Sequence, residues 1–191
     1  MLGIIPVREN MFWIGMNDHE TDLFESIWPL PRGVSYNSFL VRGEKIAVID
    51  AVKSNFIAAY TDKIRALLPP GGSVDYLIVN HMEPDHSGAL KAMRGIFPDM
   101  KIVGNKKTAE FIRDFYGIAD NVISVDDGSS LDLGGFKLKF FLTPMVHWPE
   151  TMVTYEETQK VLFSCDAFGG FGALDNRIFD DESDLVYFEN E

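Results

Sequence analysis

The sequence is poor in cysteine and in long apolar segments, and it has a single cysteine, Cys165, in 191 residues. One cysteine excludes an intrachain disulfide. The longest apolar pieces are of strand length, such as 76–79, whereas a helix that spans a bilayer needs ~20 apolar residues. The N-terminal segment MLGIIPVREN lacks the basic start and the long apolar stretch of a secretory signal. We therefore expect a cytoplasmic protein without a membrane role.

Positive charge is also scarce, because 17 Lys and Arg residues stand against 29 Asp and Glu residues and give a net charge of −12. This balance predicts no nucleic-acid partner and leaves many carboxylates able to bind cations. The chain is 46% hydrophobic and 13% aromatic, which suffices for a sizeable core. No linker rich in Pro, Gly or Ser divides the chain, so we expect one domain over 1–191.

The first part of the chain alternates strand-like and helix-like segments. Two apolar runs around Gly43-Glu44 predict a hairpin over 37–50, and apolar residues at three- and four-residue spacing predict a helix over 55–68. A continuous apolar run predicts a buried strand at 76–80. The same rules predict a polar loop, a helix, a strand, a helix ended by Gly117 and a further strand at, respectively, 81–88, 89–97, 102–104, 106–116 and 122–125.

The second part changes to β structure, with strands expected at 136–143, 152–155 and 161–164. The order of elements therefore indicates an α/β protein with an antiparallel meander in its second half. The last segment, 176–191, is strongly acidic and has no closing strand or helix cap. This pattern is typical either of a frayed tail or of a chain cut within a longer domain.

Four potential metal ligands lie within the hexapeptide HMEPDH, directly after the strand at 76–80: His81, Glu83, Asp85 and His86. Open α/β folds expose their sites at the carboxyl ends of strands, and alternation along the loop lets these side chains face two adjacent cations. The alternative is a solvated polar loop in which Asp85 or Ser87 caps the following helix.

Two further residues of the right type each follow a predicted strand. His147 comes after the strand that begins at Phe136, and Asp166 comes after 161–165. Taken alone, His147 is equally explained as a packed ring and Asp166 as a turn residue. Together with the hexapeptide they favour a dinuclear metal site, because a carboxylate can bridge two cations.

The run H-x-E-x-D-H at 81–86, with His147 in HWPETM and Asp166 in LFSCDAFG, resembles the diiron domain of the flavodiiron proteins, a branch of the metallo-β-lactamase superfamily. The spacing agrees with that family's pattern, with 60 residues between His86 and His147 and 18 between His147 and Asp166. The hydrolases of the superfamily usually carry a histidine where this chain has Glu83. The resemblance covers nearly the whole chain.

The resemblance implies an α/β (α+β) fold, the metallo-β-lactamase-like αββα sandwich, lacking its C-terminal part. It implies two iron ions, the first held by His81, Glu83 and His147, the second by Asp85 and His86. Asp166 would bridge both. The chemistry of the residues agrees, since the carboxylate of Glu83 is a hard ligand that favours iron over a zinc pair.

The family has a further histidine on the second iron, about sixty residues beyond the bridging aspartate by the motif's own spacing, and this chain has no histidine after His147. The flavodoxin-like domain that carries FMN in the family is also absent, so we expect a truncated or split version of a longer protein. Two further residues are left outside the site. His19 is expected at the surface, and strand alternation predicts that Cys165 points away from the metals.

The family implies the function: reduction of dioxygen to water or of nitric oxide to nitrous oxide. Electrons would come through FMN on a flavodoxin-like domain of a neighbouring subunit in a head-to-tail homodimer, fed by a rubredoxin-type donor. Two alternatives remain open. One is a zinc or manganese hydrolase of the same superfamily, and the other is a non-catalytic half-domain that a partner chain completes.

Overall fold

The computed structural model describes residues 2–175 and 177–182 of the chain. The strands are β1 Ile5–Arg8, β2 Met11–Trp13, β3 Met16–Asp18, β4 Leu23–Phe24, β5 Trp28–Pro29, β6 Val34–Tyr36, β7 Phe39–Arg42, β8 Ile46–Ile49, β9 Tyr76–Ile78, β10 Lys101–Asn105, β11 Val122–Val125, β12 Ser130–Asp132, β13 Lys137–Leu142, β14 Met152–Glu156 and β15 Val161–Phe163. The α-helices are α1 Ile57–Leu67, α2 Pro84–Ser87, α3 Leu90–Ile96 and α4 Lys106–Tyr116, with 3₁₀ turns at Ser54–Phe56 and Asp180–Glu182.

Two sheets carry the fold. A seven-stranded sheet has the order β1-β2-β7-β8-β9-β10-β11, and a four-stranded antiparallel sheet has the order β12-β13-β14-β15. Strands β8 to β11 run parallel because α1, α3 and α4 lie in the crossovers between them. The two remaining pairs, β3 with β6 and β4 with β5, form small two-stranded sheets.

Alternating side chains of the central strands separate two hydrophobic cores. Val48 and Leu77 pack with the helices, in the cluster that also contains Ile64 of α1. Their neighbours Ala47 and Ile78 point to the other face and pack against the four-stranded sheet. Because side chains of a strand alternate between its two faces, a sheet buried on both sides needs such unbroken apolar runs. The layers are therefore helix, sheet and sheet.

The predicted elements of the central part are confirmed, and α4 begins and ends where the sequence predicts. Gly117 ends this helix in a left-handed conformation, with φ 69°. Asn105, which the sequence interpretation did not single out, caps its N terminus by accepting hydrogen bonds from the backbone N–H groups of Lys107 and Thr108.

The prediction of a polar loop at 81–88 is wrong in part, because Pro84–Ser87 forms one helical turn. Pro84 suits the first position of this turn, since its fixed φ is already helical and it has no N–H to satisfy. Within the described residues no α-helix follows β12. Most of the acidic segment 176–191 lies outside the described residues. No helix among the residues described has the length and apolar character needed to cross a bilayer.

Candidate metal centre

Three loops, each of which follows a strand, bring all six predicted ligand residues together. The first loop follows β9 and includes α2. The second connects β13 to β14, and the third follows β15. The side chains they contribute are His81, Glu83, Asp85 and His86 from the first loop, His147 from the second and Asp166 from the third.

Four ligand atoms form a compact group that we call site 1: His81 Nε2, Glu83 Oε2, His147 Nε2 and Asp166 Oδ2. All of them lie within 4.8 Å of one another. Glu83 Oε2 lies 2.9 Å from His147 Nε2 and 3.1 Å from His81 Nε2. Asp166 Oδ2 lies 3.3 Å from His147 Nε2. Nitrogen and oxygen ligands at ~2.0–2.2 Å from a common cation have separations of this size.

A second group, site 2, lies on the other side of Asp166. His86 Nε2 is 3.2 Å from Asp85 Oδ2 and 2.6 Å from Asp166 Oδ1. Asp85 Oδ1 is buried and makes no hydrogen bond within the described part of the chain. Buried polar atoms normally have partners. A cation in site 2 would satisfy this atom.

Asp166 is the residue that the two sites share. Its Oδ1 belongs to site 2 and its Oδ2 to site 1. Burial raises the pKa of this carboxyl group, but the hydrogen bond and charge of His86 more than offset that effect, and the pKa falls to about 2. The carboxylate is therefore ionised at neutral pH, as a bridging ligand must be.

His81 favours its positively charged form in the absence of a cation. Burial alone would lower the pKa of His81, but its hydrogen bonds with Glu150 and Glu83 raise it to about 9. The surrounding carboxylates thus favour a positive charge at this position. Metal binding would replace the protons, so the residues present fit a pair of divalent cations.

Glu150 is a site residue that the sequence interpretation missed. It is fully buried, and its Oε1 accepts hydrogen bonds from His81 Nδ1 at 2.7 Å and from the backbone N–H of Met82 at 2.9 Å. Its position three residues after His147, in HWPETM, is the only signal in the sequence that could have pointed to it.

The prediction for Cys165 needs correction. Strand alternation does not apply to it, because β15 ends at Phe163 and Cys165 has a left-handed backbone, with φ 53°. Its Sγ lies 3.6 Å from His86 Nδ1, the ring nitrogen that faces away from site 2. Cys165 therefore contacts a candidate ligand from behind, and with His86 it also lies near the buried carboxylate of Asp50.

Two alternatives for individual residues are also decided. Ala89, without a side-chain hydrogen bond, precedes α3, so neither Asp85 nor Ser87 caps this helix. His19 lies at the surface as predicted, where its Nε2 is 2.7 Å from Asp175 Oδ1. The indole of Trp148 packs edge-on against His81, with ring centroids 5.2 Å apart, and forms part of the wall of site 1.

Comparisons with known proteins identify the family of this chain. The family model described as "ODP family beta lactamase" matches residues 34–189. The putative diflavin flavoprotein A 2 of Synechocystis is 39% identical over 91% of this chain and 31% of its own length. The anaerobic nitric oxide reductase flavorubredoxin of Salmonella arizonae is 38% identical over 94% of this chain and 38% of its own length.

Two solved structures have the same fold as this chain. The flavodiiron protein of Giardia intestinalis superposes with a TM-score of 0.91 at 32% identity, over 97% of this chain and 45% of that one. The rubredoxin oxygen:oxidoreductase of Desulfovibrio gigas gives a TM-score of 0.91 at 29% identity, over 97% of this chain and 46% of that one. The chain thus spans about a third of these curated relatives and less than half of these solved chains.

Proposed function

Because this chain belongs to the ODP family of β-lactamase-like proteins and has the metallo-β-lactamase-like fold of the flavodiiron proteins, we propose that it is the diiron part of an oxidoreductase that reduces dioxygen to water or nitric oxide to nitrous oxide. His81, Glu83 and His147 would hold one iron, and Asp85 and His86 the other. Asp166 would bridge them. Two bound ferrous ions would supply electrons to the gas.

The observation that carries the proposal is the division of the Asp166 carboxylate between two ligand groups. Oδ1 lies 2.6 Å from His86 Nε2, whereas Oδ2 lies 3.3 Å from His147 Nε2. One carboxylate placed in this way would hold two cations side by side. Glu83 adds a hard anionic ligand to site 1, which favours iron over zinc.

The surface of the site suits an electron donor that docks from outside. The side chain of His147 is 55% exposed, whereas that of His81 is fully buried. Met145 and Val146, directly before His147, are exposed apolar residues. We propose that FMN on a flavodoxin-like domain approaches this exposed surface, from a neighbouring subunit of a head-to-tail dimer, and that a rubredoxin-type protein reduces the FMN.

Metal selection separates this function from hydrolysis. The chain is produced with iron and zinc both available, and its metal content is measured together with oxygen or nitric oxide consumption driven by reduced FMN. We expect two iron ions per chain and gas consumption that depends on them. Preferential zinc binding, with hydrolysis of an ester or thioester, would instead favour the hydrolase alternative.

A chain that binds no metal under these conditions would favour the half-domain alternative. Size measurement with and without an added C-terminal piece of a relative then tests whether a partner completes the fold. Under our proposal, the chain binds metal both with and without the added C-terminal piece.

A further inference from the structure

Glu150 is a buried carboxylate in direct contact with a candidate iron ligand. Glu150 is 0% exposed, and the burial of a charge costs several kcal/mol unless that charge is paired. Among the ion pairs of the described residues Glu150 takes part in one, with Nδ1 of His81 at 2.7 Å. The negative charge of Glu150 is therefore balanced through the His81 ring.

The hydrogen bond determines which nitrogen of His81 is free. Carboxylates only accept hydrogen bonds, and without a cation both ring nitrogens face one, Nδ1 that of Glu150 and Nε2 that of Glu83. A cation in site 1 would replace the proton on Nε2, which faces Glu83 and Asp166, whereas Nδ1 would keep its proton for Glu150. Histidines that bind metals commonly donate their second N–H to a carboxylate, which fixes the ring and makes it a stronger ligand.

The backbone of Glu150 is held in place independently of its side chain. Its carbonyl oxygen accepts a hydrogen bond of 2.6 Å from Nδ2 of Asn105, the residue that caps α4. Two residues later, the backbone N–H of Met152 donates to the carbonyl of Asn80, directly before His81. The carboxylate therefore approaches His81 from a fixed frame.

From these contacts we propose that Glu150 is a positioning residue for site 1, which orients His81 and raises its affinity for the metal. The inference rests on the proposed metal site but not on the identity of the metal or the reaction. It also explains why a loop residue, Glu150, is a fully buried acid. The same loop carries His147, so Glu150 ties together two of the three chain segments that build site 1.

Glu150→Gln is the main test, because it keeps the length of the side chain and removes its charge. The matched control is Glu156→Gln. Glu156 is also 0% exposed, but it binds backbone N–H groups of the turn after β14, at Thr158 and Gln159. Both variants lose a buried carboxylate, and only one of them contacts a candidate ligand. Glu150→Asp is the third variant, with the charge kept on a shorter side chain.

Metal affinity is measured on the full chain by chelator competition with Zn²⁺ and Fe²⁺ separately, and thermal unfolding of each metal-free variant is followed by circular dichroism. We expect Glu150→Gln to bind the metal in site 1 about 10–100-fold more weakly. Glu150→Asp should recover part of this loss, and Glu156→Gln should bind as the wild type does. Equal weakening in the two Gln variants, or wild-type affinity in Glu150→Gln, would overturn the proposal.

A spectroscopic readout tests the orientation of the ring directly. The chain has four histidines, so ¹⁵N-histidine labelling of the Zn²⁺-loaded protein gives few signals, and a His81→Gln variant assigns the one sought. We expect the His81 Nδ1–H to exchange slowly with solvent in the wild type and faster in Glu150→Gln. A His81 ring protonated at Nε2 instead would refute the inference. A chain that binds two metals but reduces no gas would refute only the proposed function.

Discussion

Asp166 Oδ1 lies 2.6 Å from His86 Nε2, and this contact joins the two sheets of the fold. His86 belongs to α2, which follows a strand of the seven-stranded sheet, whereas Asp166 follows β15 of the four-stranded sheet. The candidate metal centre therefore exists only when both sheets are packed together. A cation bound at this contact would stabilise the folded chain, because it binds the folded state alone.

The first prediction concerns this shared carboxylate. Asp166→Ala removes a ligand atom from each site at once, so we expect the metal content to fall from two ions per chain to one or fewer and the magnetic coupling of the pair to disappear. Elemental analysis and Mössbauer spectroscopy of the iron-loaded protein measure both effects. Asp175→Ala serves as the control, because Asp175 is an exposed acid that pairs with His19. Two coupled ions at full occupancy in Asp166→Ala would contradict the bridging role.

The second prediction concerns metal choice. Glu83→His replaces the carboxylate of site 1 by the residue that hydrolases of the superfamily usually carry there. Loss of a hard anionic oxygen should lower the preference for iron, because an imidazole suits zinc equally well. We expect the ratio of iron to zinc in protein made with both metals to fall several-fold. An unchanged ratio would show that Glu83 does not select the metal.

Much of the fold and all six candidate ligands could be predicted from the sequence because the signals were local and strong. The helix at 106–116 has apolar spacing and a closing glycine, and the buried strands form unbroken apolar runs. The candidate ligands follow strands, and strand ends of packed sheets converge. The family resemblance then supplied the pairing of residues that lie far apart in the chain.

The rest depended on tertiary contacts that no local pattern contains. In the sequence, Glu150 looks like an ordinary acidic residue of a loop. Only the folded chain shows that its side chain reaches His81. The direction of the Cys165 side chain depended on the left-handed backbone of Cys165 itself, which follows the strand. The short strands before Phe39 have two to four residues each, too few to show a period.

The third prediction tests the packing of the helical turn that carries Asp85 and His86. A Cβ added at Gly88 would lie 2.6 Å from the backbone oxygen of Pro84 and 2.8 Å from the backbone nitrogen of Ser54. Pro84 can give way only by shifting α2, and Ser54 only by shifting the 3₁₀ turn Ser54–Phe56. Gly88→Ala should therefore destabilise the fold by about 1–3 kcal/mol and weaken metal binding at site 2. Urea unfolding and metal titration measure the two effects.

Gly95→Ala is the matched control for that variant. Gly95 lies in α3, and a Cβ added there meets no atom within 4 Å. The substitution should stabilise the fold by ~0.5–1 kcal/mol, because alanine loses less backbone entropy than glycine in a helix. Equal effects of the two substitutions would show that the space around Gly88 does not constrain α2.

The fourth prediction concerns the pH dependence of stability, and it rests on Lys63 of α1. Its ammonium group donates to the backbone oxygen of Gly15 at 2.5 Å and lies 4.8 Å from the ring centroid of Trp13. Burial lowers the pKa of Lys63 from 10.5 to about 8 in the folded chain. Between these two pH values the unfolded chain binds more protons than the folded chain, so the free energy of unfolding contributed by this group rises with pH.

Lys63→Met keeps much of the apolar stem and removes the titration. Below pH 8 the wild type carries the cost of a buried charge, and this cost disappears towards pH 10.5, when the group is neutral in both states. We therefore expect the stability of Lys63→Met relative to wild type to fall by about 1–3 kcal/mol between pH 7 and 10.5, measured by urea unfolding at each pH. Lys91→Met, an exposed site on α3, should leave the difference from wild type constant. A constant difference for Lys63→Met as well would mean that Lys63 keeps its proton in the folded chain over this whole range, and that its contacts with Gly15 and Trp13 offset the burial of its charge.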